Sequence, residues 1–543
     1  MLTSLGVQNL RSFRDFTSID LKPITVLIGK NSSGKSSFLR VLPLFRQSTQ
    51  EATNGPILWY GRLVDFGDFN GALTNNSLEK EISFYFCLRV EERLFSSRFH
   101  YYDPTSSRDN EISIGVKLTV TNPNQKTITK SIEITIDKTS LKIDYDKNLG
   151  ENNLTVWNDS YKIEKAITIL TSDGELLPKI MPAMSDQESK TVRHYPFEAF
   201  IMRDEYFSGI NSEPLLNVRK KNKAFYKELV SDASLAIKTY FHNRTSIEKI
   251  ESLLSNPLTK LSEDAILRSL KKTAATQTTF LKNLSTCKNN GDELKILQTF
   301  AMLSNFNLLT NSLNEQLRKC FTSVKYIGPS RAIAERYYRF QDLQVNTLDH
   351  TGSNFAMILN SLPVRQKSKF KQWTKTNFGF SVNVSVIDSH YAVNIRTDED
   401  DNEYNISDMG FGYSQVLPII MSVWLEMEKA RGYHNDETIF VIEQPELHLH
   451  PAYQSKLAKV FALLIAHIKK QRLNVKIIFE THSQAMIDSF GESIEDPDIN
   501  FNNSDISVNV FEKSNKYGTK TYRADFNENG FFENWPVGFF TGN

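Results

Sequence analysis

Ile24-Thr25-Val26-Leu27-Ile28-Gly29-Lys30-Asn31-Ser32-Ser33-Gly34-Lys35-Ser36-Ser37 decides the fold. Residues Gly29 to Ser36 satisfy the pattern G-x-x-x-x-G-K-[ST] in full. An apolar run leads in, and Phe38, Leu39, Val41, Leu42, Leu44 and Phe45 follow at helical spacing over Ser36–Gln47. Strand, glycine turn and helix together make a phosphate cradle. Backbone N–H groups from Gly29 through Asn31, Ser32, Ser33, Gly34 and Ser37 turn inward, and the helix start adds its positive end. Lys35 is placed to reach the outer phosphates of ATP, and the Ser36 hydroxyl to ligate Mg²⁺. A chance match arises in roughly one chain per hundred of this length.

Such a loop needs a carboxylate at the end of a neighbouring buried strand to complete the metal site. Ile439-Phe440-Val441-Ile442-Glu443 supplies it, so Glu443 joins Ser36 as a predicted metal ligand. The next residue, Gln444, stands where a water-polarising Glu is usual. It can orient a water but cannot accept its proton. Slow hydrolysis or a long-lived ATP-bound state follows, with Glu446 as a substitute base. His448 and His450 admit two readings: a bidentate metal pair on a strand, or a structural or dimer-contact role.

Two further elements extend the pattern. Ser407-Asp408-Met409-Gly410-Phe411-Gly412-Tyr413-Ser414-Gln415 precedes an apolar helix, and Ser407, Gly410 and Gly412 form a second phosphate-capping surface. The strand Ile477-Ile478-Phe479-Glu480 runs into Thr481-His482-Ser483, where His482 is placed to hydrogen-bond a γ-phosphate. Phosphate loop, glycine-rich signature, strand ending in Glu and strand-Thr-His-Ser occur in the order of an ABC-type ATPase head. In that arrangement one protomer's signature faces the other's phosphate loop, so a homodimer joined through its heads is expected.

Composition narrows the alternatives. The 543 residues carry 64 Lys+Arg against 63 Asp+Glu, a net charge of +1, so no global field marks a nucleic-acid binder. Three cysteines, Cys87, Cys287 and Cys320, lack CxxC spacing, which disfavours a disulfide scaffold or thiolate zinc site and fits a reducing cytoplasm. The N-terminal MLTSLGVQNLRSFRDF has no long apolar core. The most apolar run, Val416 to Leu425, is far short of the roughly 20 residues that span a bilayer. No membrane contact is expected.

The resulting plan is α/β: a discontinuous ABC-type P-loop head with an inserted antiparallel β region and a helical insertion. Residues 1–75 hold the phosphate loop. Alternating strands such as EISFYFCLRV and ISIGVKLTVTN make 76–210 a β-rich arm. Residues 211–322 read as helical, without a sustained heptad, and 323–543 return to the head. Basic runs at Arg219–Lys223 and Lys271–Lys272 are solvated faces or nucleic-acid contacts. The tail aromatics Phe531, Phe532, Trp535, Phe539 and Phe540 read as core packing or a docking edge.

The segments GKNSSGKSS, YIGPSRAIAERYY, ISDMGFGYSQVLPI, FVIEQPELHLHP, ETHSQ and ENGFFENWPVGFF resemble the overcoming-lysogenisation-defect/RecF-like ABC ATPases. Within that group they are most similar to the PtuA-like ATPases of Septu and retron antiphage systems. The resemblance implies an HNH nuclease partner of the PtuB kind. In retron versions it adds a reverse transcriptase with its multicopy single-stranded DNA, so nucleic acid is met through the complex. It also makes Gln444 a tolerated variant. Nuclease-bearing relatives carry a C-terminal acidic cluster; Asp496-Pro497-Asp498 lacks the leading apolar strand and reads as a loop, so no nuclease is expected in this chain. The alternatives are a stand-alone RecF/SMC-like DNA-repair ATPase, a transporter ATPase subunit, and a non-catalytic nucleotide sensor.

Overall fold

In the computed structural model, the described residues are 1–51, 53, 55–75, 77–92, 111–145, 152–170, 176–177, 179–182, 226–255, 257–286, 292–339, 347–387, 390–398, 402–429, 437–471, 473–514 and 518–534. The tail aromatics Trp535, Phe539 and Phe540 and the basic run 219–223 lie outside them.

The described residues form three sheets, the smallest of them antiparallel and made of β12 (Tyr338–Arg339), β13 (Phe380–Ile387), β14 (His390–Thr397) and β15 (Tyr404–Asn405). The first is a nine-stranded antiparallel meander. It contains β1 (Leu2–Gln8), β2 (Thr17–Asp20), β4 (Glu81–Glu91), β5 (Glu111–Thr121), β6 (Ile128–Ile136), β7 (Thr139–Asp144), β8 (Asn152–Trp157), β9 (Lys162–Leu170) and β10 (Lys179–Pro182). β1 pairs with β2 on one side and β4 on the other, so the β-rich arm continues the N-terminal strands in one sheet. Burial alternates along β7 and β8, as a half-covered antiparallel strand requires.

The second sheet is the core. Its order is β11 (Val324–Ile327), β16 (Thr438–Glu443), β17 (Val475–Glu480), β3 (Ile24–Gly29), β18 (Ile506–Ser514) and β19 (Gly518–Ala524). All but β19 run parallel. β3 is buried throughout, because a parallel strand is covered on both faces. Leu27, Ile439, Val441 and Ile478 join the core shared with the nine-stranded sheet. Val26, Ile28, Phe440, Ile442 and Phe479 face the opposite core, under the helices Phe411–Lys429, Pro451–Gln471 and Gln484–Glu495. β18, which is not among the strands expected above, completes the sheet beside the phosphate-loop strand.

The insertion helices cover the meander. Gln298, on the helix Asp292–Ser304, accepts from the Thr139 hydroxyl at 2.6 Å, and Thr299 accepts from the Asn158 amide at 2.9 Å. Phe321, at the end of the helix Phe306–Thr322, stacks on Phe45 with centroids 5.0 Å apart. Among the described residues no helix is long and apolar enough to cross a membrane.

Several expectations need correcting. The helix expected over Ser36–Gln47 is two: α1 (Lys35–Leu39) and α2 (Val41–Gln50), with Arg40 between them. Pro43 supplies the reason, since it has no N–H for the Leu39 carbonyl and its ring crowds that carbonyl. His448 and His450 sit exposed on a turn rather than a strand, either side of buried Leu449, and the His450 ring accepts from the Ala452 N–H at 3.3 Å. Phe531 is 66% exposed, not core, while Phe532 packs on Phe526 at 4.0 Å between centroids.

Candidate functional site

The phosphate loop connects β3 to α1. Gly34 has φ +99, and a Cβ there would lie 2.6 Å from the Ser12 Oγ and 2.9 Å from the Phe13 ring, so only glycine fits. Asn31 and Ser32 are exposed, Ser37 is half-buried, and Ser33 is buried with its Oγ lacking a hydrogen-bond partner. Thr519, at the start of β19, braces the loop by donating to the Ser33 carbonyl at 2.8 Å. Lys35 is 5% exposed, and its Nζ donates to the carbonyls of Gly29 at 2.8 Å and Lys30 at 3.1 Å. Burial lowers the Lys35 pKa, opposed by the charges of Glu480 and Glu446.

Above the loop opens a cleft of about 490 Å³, within the range of small-molecule sites. Its lining includes Arg11, Arg14, Lys35 and Lys513 and no carboxylate, which suits a polyanion. Of these four cations only Lys35 belongs to the phosphate-loop motif; Arg11, Arg14 and Lys513 come from outside it.

Outside this lining, on the far side of Ser36, β16 and β17 end in Glu443 and Glu480, which are register partners. Glu443 is 1% exposed. Arg40 forks onto both its oxygens at 2.6 and 2.7 Å, and the Tyr326 hydroxyl donates to it at 2.6 Å. The pairing raises the Arg40 pKa; burial and then the Glu443 charge raise that of Tyr326. The break between α1 and α2 places Arg40 at this carboxylate. The Ser36 hydroxyl meets Glu480 rather than Glu443, at 2.9 and 2.7 Å from its two oxygens. Burial chiefly, helped by the Glu443 charge, pushes the Glu480 carboxyl up to about 7.

Gln444 adopts a left-handed turn at φ 43 and is half-buried. Its N–H donates to the Glu480 carbonyl at 3.2 Å. Arg331 donates from one terminal nitrogen to the carbonyls of Glu443 at 2.8 Å and Gln444 at 3.1 Å, fixing the turn from below. Burial pushes the Arg331 pKa down to about 10. Glu446 accepts the His482 N–H at 2.7 Å, so the carboxylate after Gln444 positions the histidine backbone. Burial and then the Lys35 charge lower the His482 pKa, which keeps the ring neutral at neutral pH.

The structure thus brings Ser36, Glu443, Gln444 and His482 to the ends of three adjacent strands. It does not place the signature residues in the same cleft. Ser407, in the short turn Ile406–Asp408, donates to Asn405 at 2.8 Å. Gly410 enters the helix at φ +78, and a Cβ on Gly412 would lie 3.3 Å from the His448 carbonyl. Gly412 therefore packs against the Gln444–His450 turn, while Ser407 and Gly410 are exposed.

Burial raises the Glu446 pKa, so its ionised form is the costly one in the fold. Its stabilising contribution is present at pH below the ordinary carboxylate value and lost as pH rises through the folded value. Glu446→Gln keeps an acceptor for the His482 N–H. We expect it to unfold at higher temperature than wild type at pH 8, with the gap closing by pH 4. Thermal melts at both pH values check this.

The order β16–β17–β3, a phosphate loop on β3, an acid ending β16 and a histidine following β17 define an α/β P-loop ATPase head of the ABC type. The family model described as AAA ATPase domain matches residues 1–487, and the chain belongs to that family. It is an ATPase of that class, which implies ATP and usually Mg²⁺ as bound species. No curated protein matches the chain in sequence. Among solved structures it is similar to an SmcHead bound to the C-winged helix domain of ScpA, with TM-score 0.33, 10% identity and coverage of 96% of this chain and 97% of the other. It is also similar to the SMC head domain from Thermotoga maritima, with TM-score 0.32, 9% identity and coverage of 96% and 98%.

Proposed function

We propose that the chain is the ATP-driven switch of an antiphage system of Septu or retron type, its head dimer controlling a partner HNH nuclease. The observation that carries the ATPase part is the convergence of Ser36, Glu443, Gln444 and His482 beside a cationic cleft. The antiphage part rests on the segments resembling PtuA-like ATPases, the stretch holding Tyr326 and Arg331 among them.

The residues fit ATP and Mg²⁺. Lys35 spends its charge on two loop carbonyls, positions that phosphate oxygens would take over, and Ser33 keeps an orphaned hydroxyl in the cradle. Ser36 and Glu443 offer the hard oxygen donors that Mg²⁺ prefers. When bound, the cation neutralises charge on the phosphates. Lys35 and the loop N–H groups hold the nucleotide, Gln444 orients the attacking water, and neutral His482 donates a hydrogen bond to the outer phosphate. Ser407, Gly410 and Gly412 act across the dimer, on the partner's nucleotide. The boundaries 1–75, 76–210, 211–322 and 323–543 then separate nucleotide-handling parts from insertions that meet partners, including a reverse transcriptase and its single-stranded DNA in a retron.

The test pairs two assays. The purified chain should hydrolyse ATP and leave DNA and RNA intact, and adding an HNH nuclease of the PtuB kind should bring nucleotide-dependent cleavage. Cleavage by the chain alone would sink the switch reading.

A further inference from the structure

Glu480 has no role in the scheme so far, yet it is the acidic group nearest the metal-ligating hydroxyl. It is 2% exposed. Ser36 has one hydroxyl proton for both Glu480 oxygens, so the carboxylate is incompletely satisfied. Among the described residues it makes no ion pair. The cations nearby are committed elsewhere, Arg40 to both Glu443 oxygens and Lys35 to two carbonyls. A buried carboxylate without a full partner is costly. A structural tie to Ser36 needs only an amide or hydroxyl acceptor, so a buried carboxyl at this position calls for another explanation. β17 lies between the phosphate-loop strand and the Glu443 strand, and registers Glu480 against Leu27 on one side and Glu443 on the other. Glu480 is therefore the carboxylate that bridges the two halves of the site.

We propose that Glu480 is a second acidic ligand of the divalent cation that accompanies the nucleotide, acting with Ser36 while Arg40 holds Glu443. This rests on reading Ser36 and Glu443 as the cation's oxygen donors. Mg²⁺ sites at phosphates commonly use one or two carboxylates, which leaves room for both acids. Arg40 divides their labour. It matches the charge of Glu443 and leaves Glu480 as the carboxylate whose charge the cation must meet.

The test measures binding, not turnover. A fluorescent, non-hydrolysable ATP analogue is titrated into full-length wild type, Glu480→Gln and Glu480→Asp, once with saturating Mg²⁺ and once in EDTA. Gln retains an acceptor for Ser36, so the fold should survive; Asp keeps the charge on a shorter arm if it does not. Wild type should bind more tightly with Mg²⁺ than in EDTA. Glu480→Gln should lose about tenfold of that gain, as removal of a metal-site group typically does, and bind at least as well as wild type in EDTA. Glu480→Asp should fall between. An undiminished Mg²⁺ gain in both variants overturns the proposal, and so does an equal loss with and without Mg²⁺, the mark of a purely structural tie. Failure of the wild type to bind the analogue at all overturns instead the phosphate-loop reading beneath it.

Discussion

Lys35→Ala is expected to weaken ATP binding by about 10- to 100-fold, the worth of a charged hydrogen-bond donor, and to cut turnover by roughly a further 10²-fold. The side chain is buried at 5% exposure, and its Nζ donates to the loop's own carbonyls at Gly29 and Lys30. Those bonds hold the loop in the shape that phosphate needs. Alanine leaves two carbonyls without their cation and makes the cleft less positive, though Arg11, Arg14 and Lys513 remain in its lining. Residual affinity should therefore be salt-sensitive, since it comes from the rim. Calorimetric titration with ATP at two ionic strengths and a phosphate-release assay check both effects. Tight ATP binding by Lys35→Ala would place the nucleotide elsewhere on the molecule.

The parts of this site that were legible in the sequence are those whose signal is local. Gly29–Ser36 carries its own spacing, Glu443 ends one six-residue strand, and His482 lies two residues past another. Glu480 ends β17 as Glu443 ends β16, so the signal for a second acid was present: two like strands with like final residues. The bonds of Arg40, Tyr326 and Arg331 were not legible, because tertiary packing makes them. Arg40 reaches Glu443 across 403 positions of sequence, aided by a helix break at Pro43. Tyr326 and Arg331 fall in a stretch that carried the family resemblance without any assigned chemistry. The fold shows the same division. Strands β4 to β8 announce themselves by alternation, and β18 carries the same signal in Ile506-Ser507-Val508-Asn509-Val510, although the fold buries both of its faces. The pairing of β1 with β4, which merges arm and head into one sheet, depends on register between distant segments.

Gln444→Glu is expected to raise ATP turnover by about 10²-fold, the lower end of what a positioned general base contributes. The two side chains are nearly isosteric, and the backbone that aims them is held from three directions. Its N–H bonds the Glu480 carbonyl at 3.2 Å, its own carbonyl accepts from Arg331 at 3.1 Å, and the Glu443 carbonyl just before it accepts from Arg331 at 2.8 Å. The left-handed φ of 43 costs Gln and Glu alike, so the exchange adds no backbone strain. What changes is proton affinity: the amide orients a water, and a carboxylate also takes its proton. The added negative charge joins Glu443, Glu480 and Glu446, and Arg331, with Nε and one terminal nitrogen unpaired, is placed beneath the turn to offset it. ATP affinity should therefore change by less than about threefold, within the spread of exposed and half-exposed charge effects. The measurement is steady-state phosphate release beside analogue binding for wild type, Gln444→Glu and Gln444→Glu with Glu446→Gln. If the single variant turns over no faster than wild type, the native base lies elsewhere. Glu446 is then the first residue to examine, because it already touches the His482 backbone. If the double variant keeps the gain, the carboxylate at 444 is sufficient, and the native Gln is what holds this ATPase to a slow cycle.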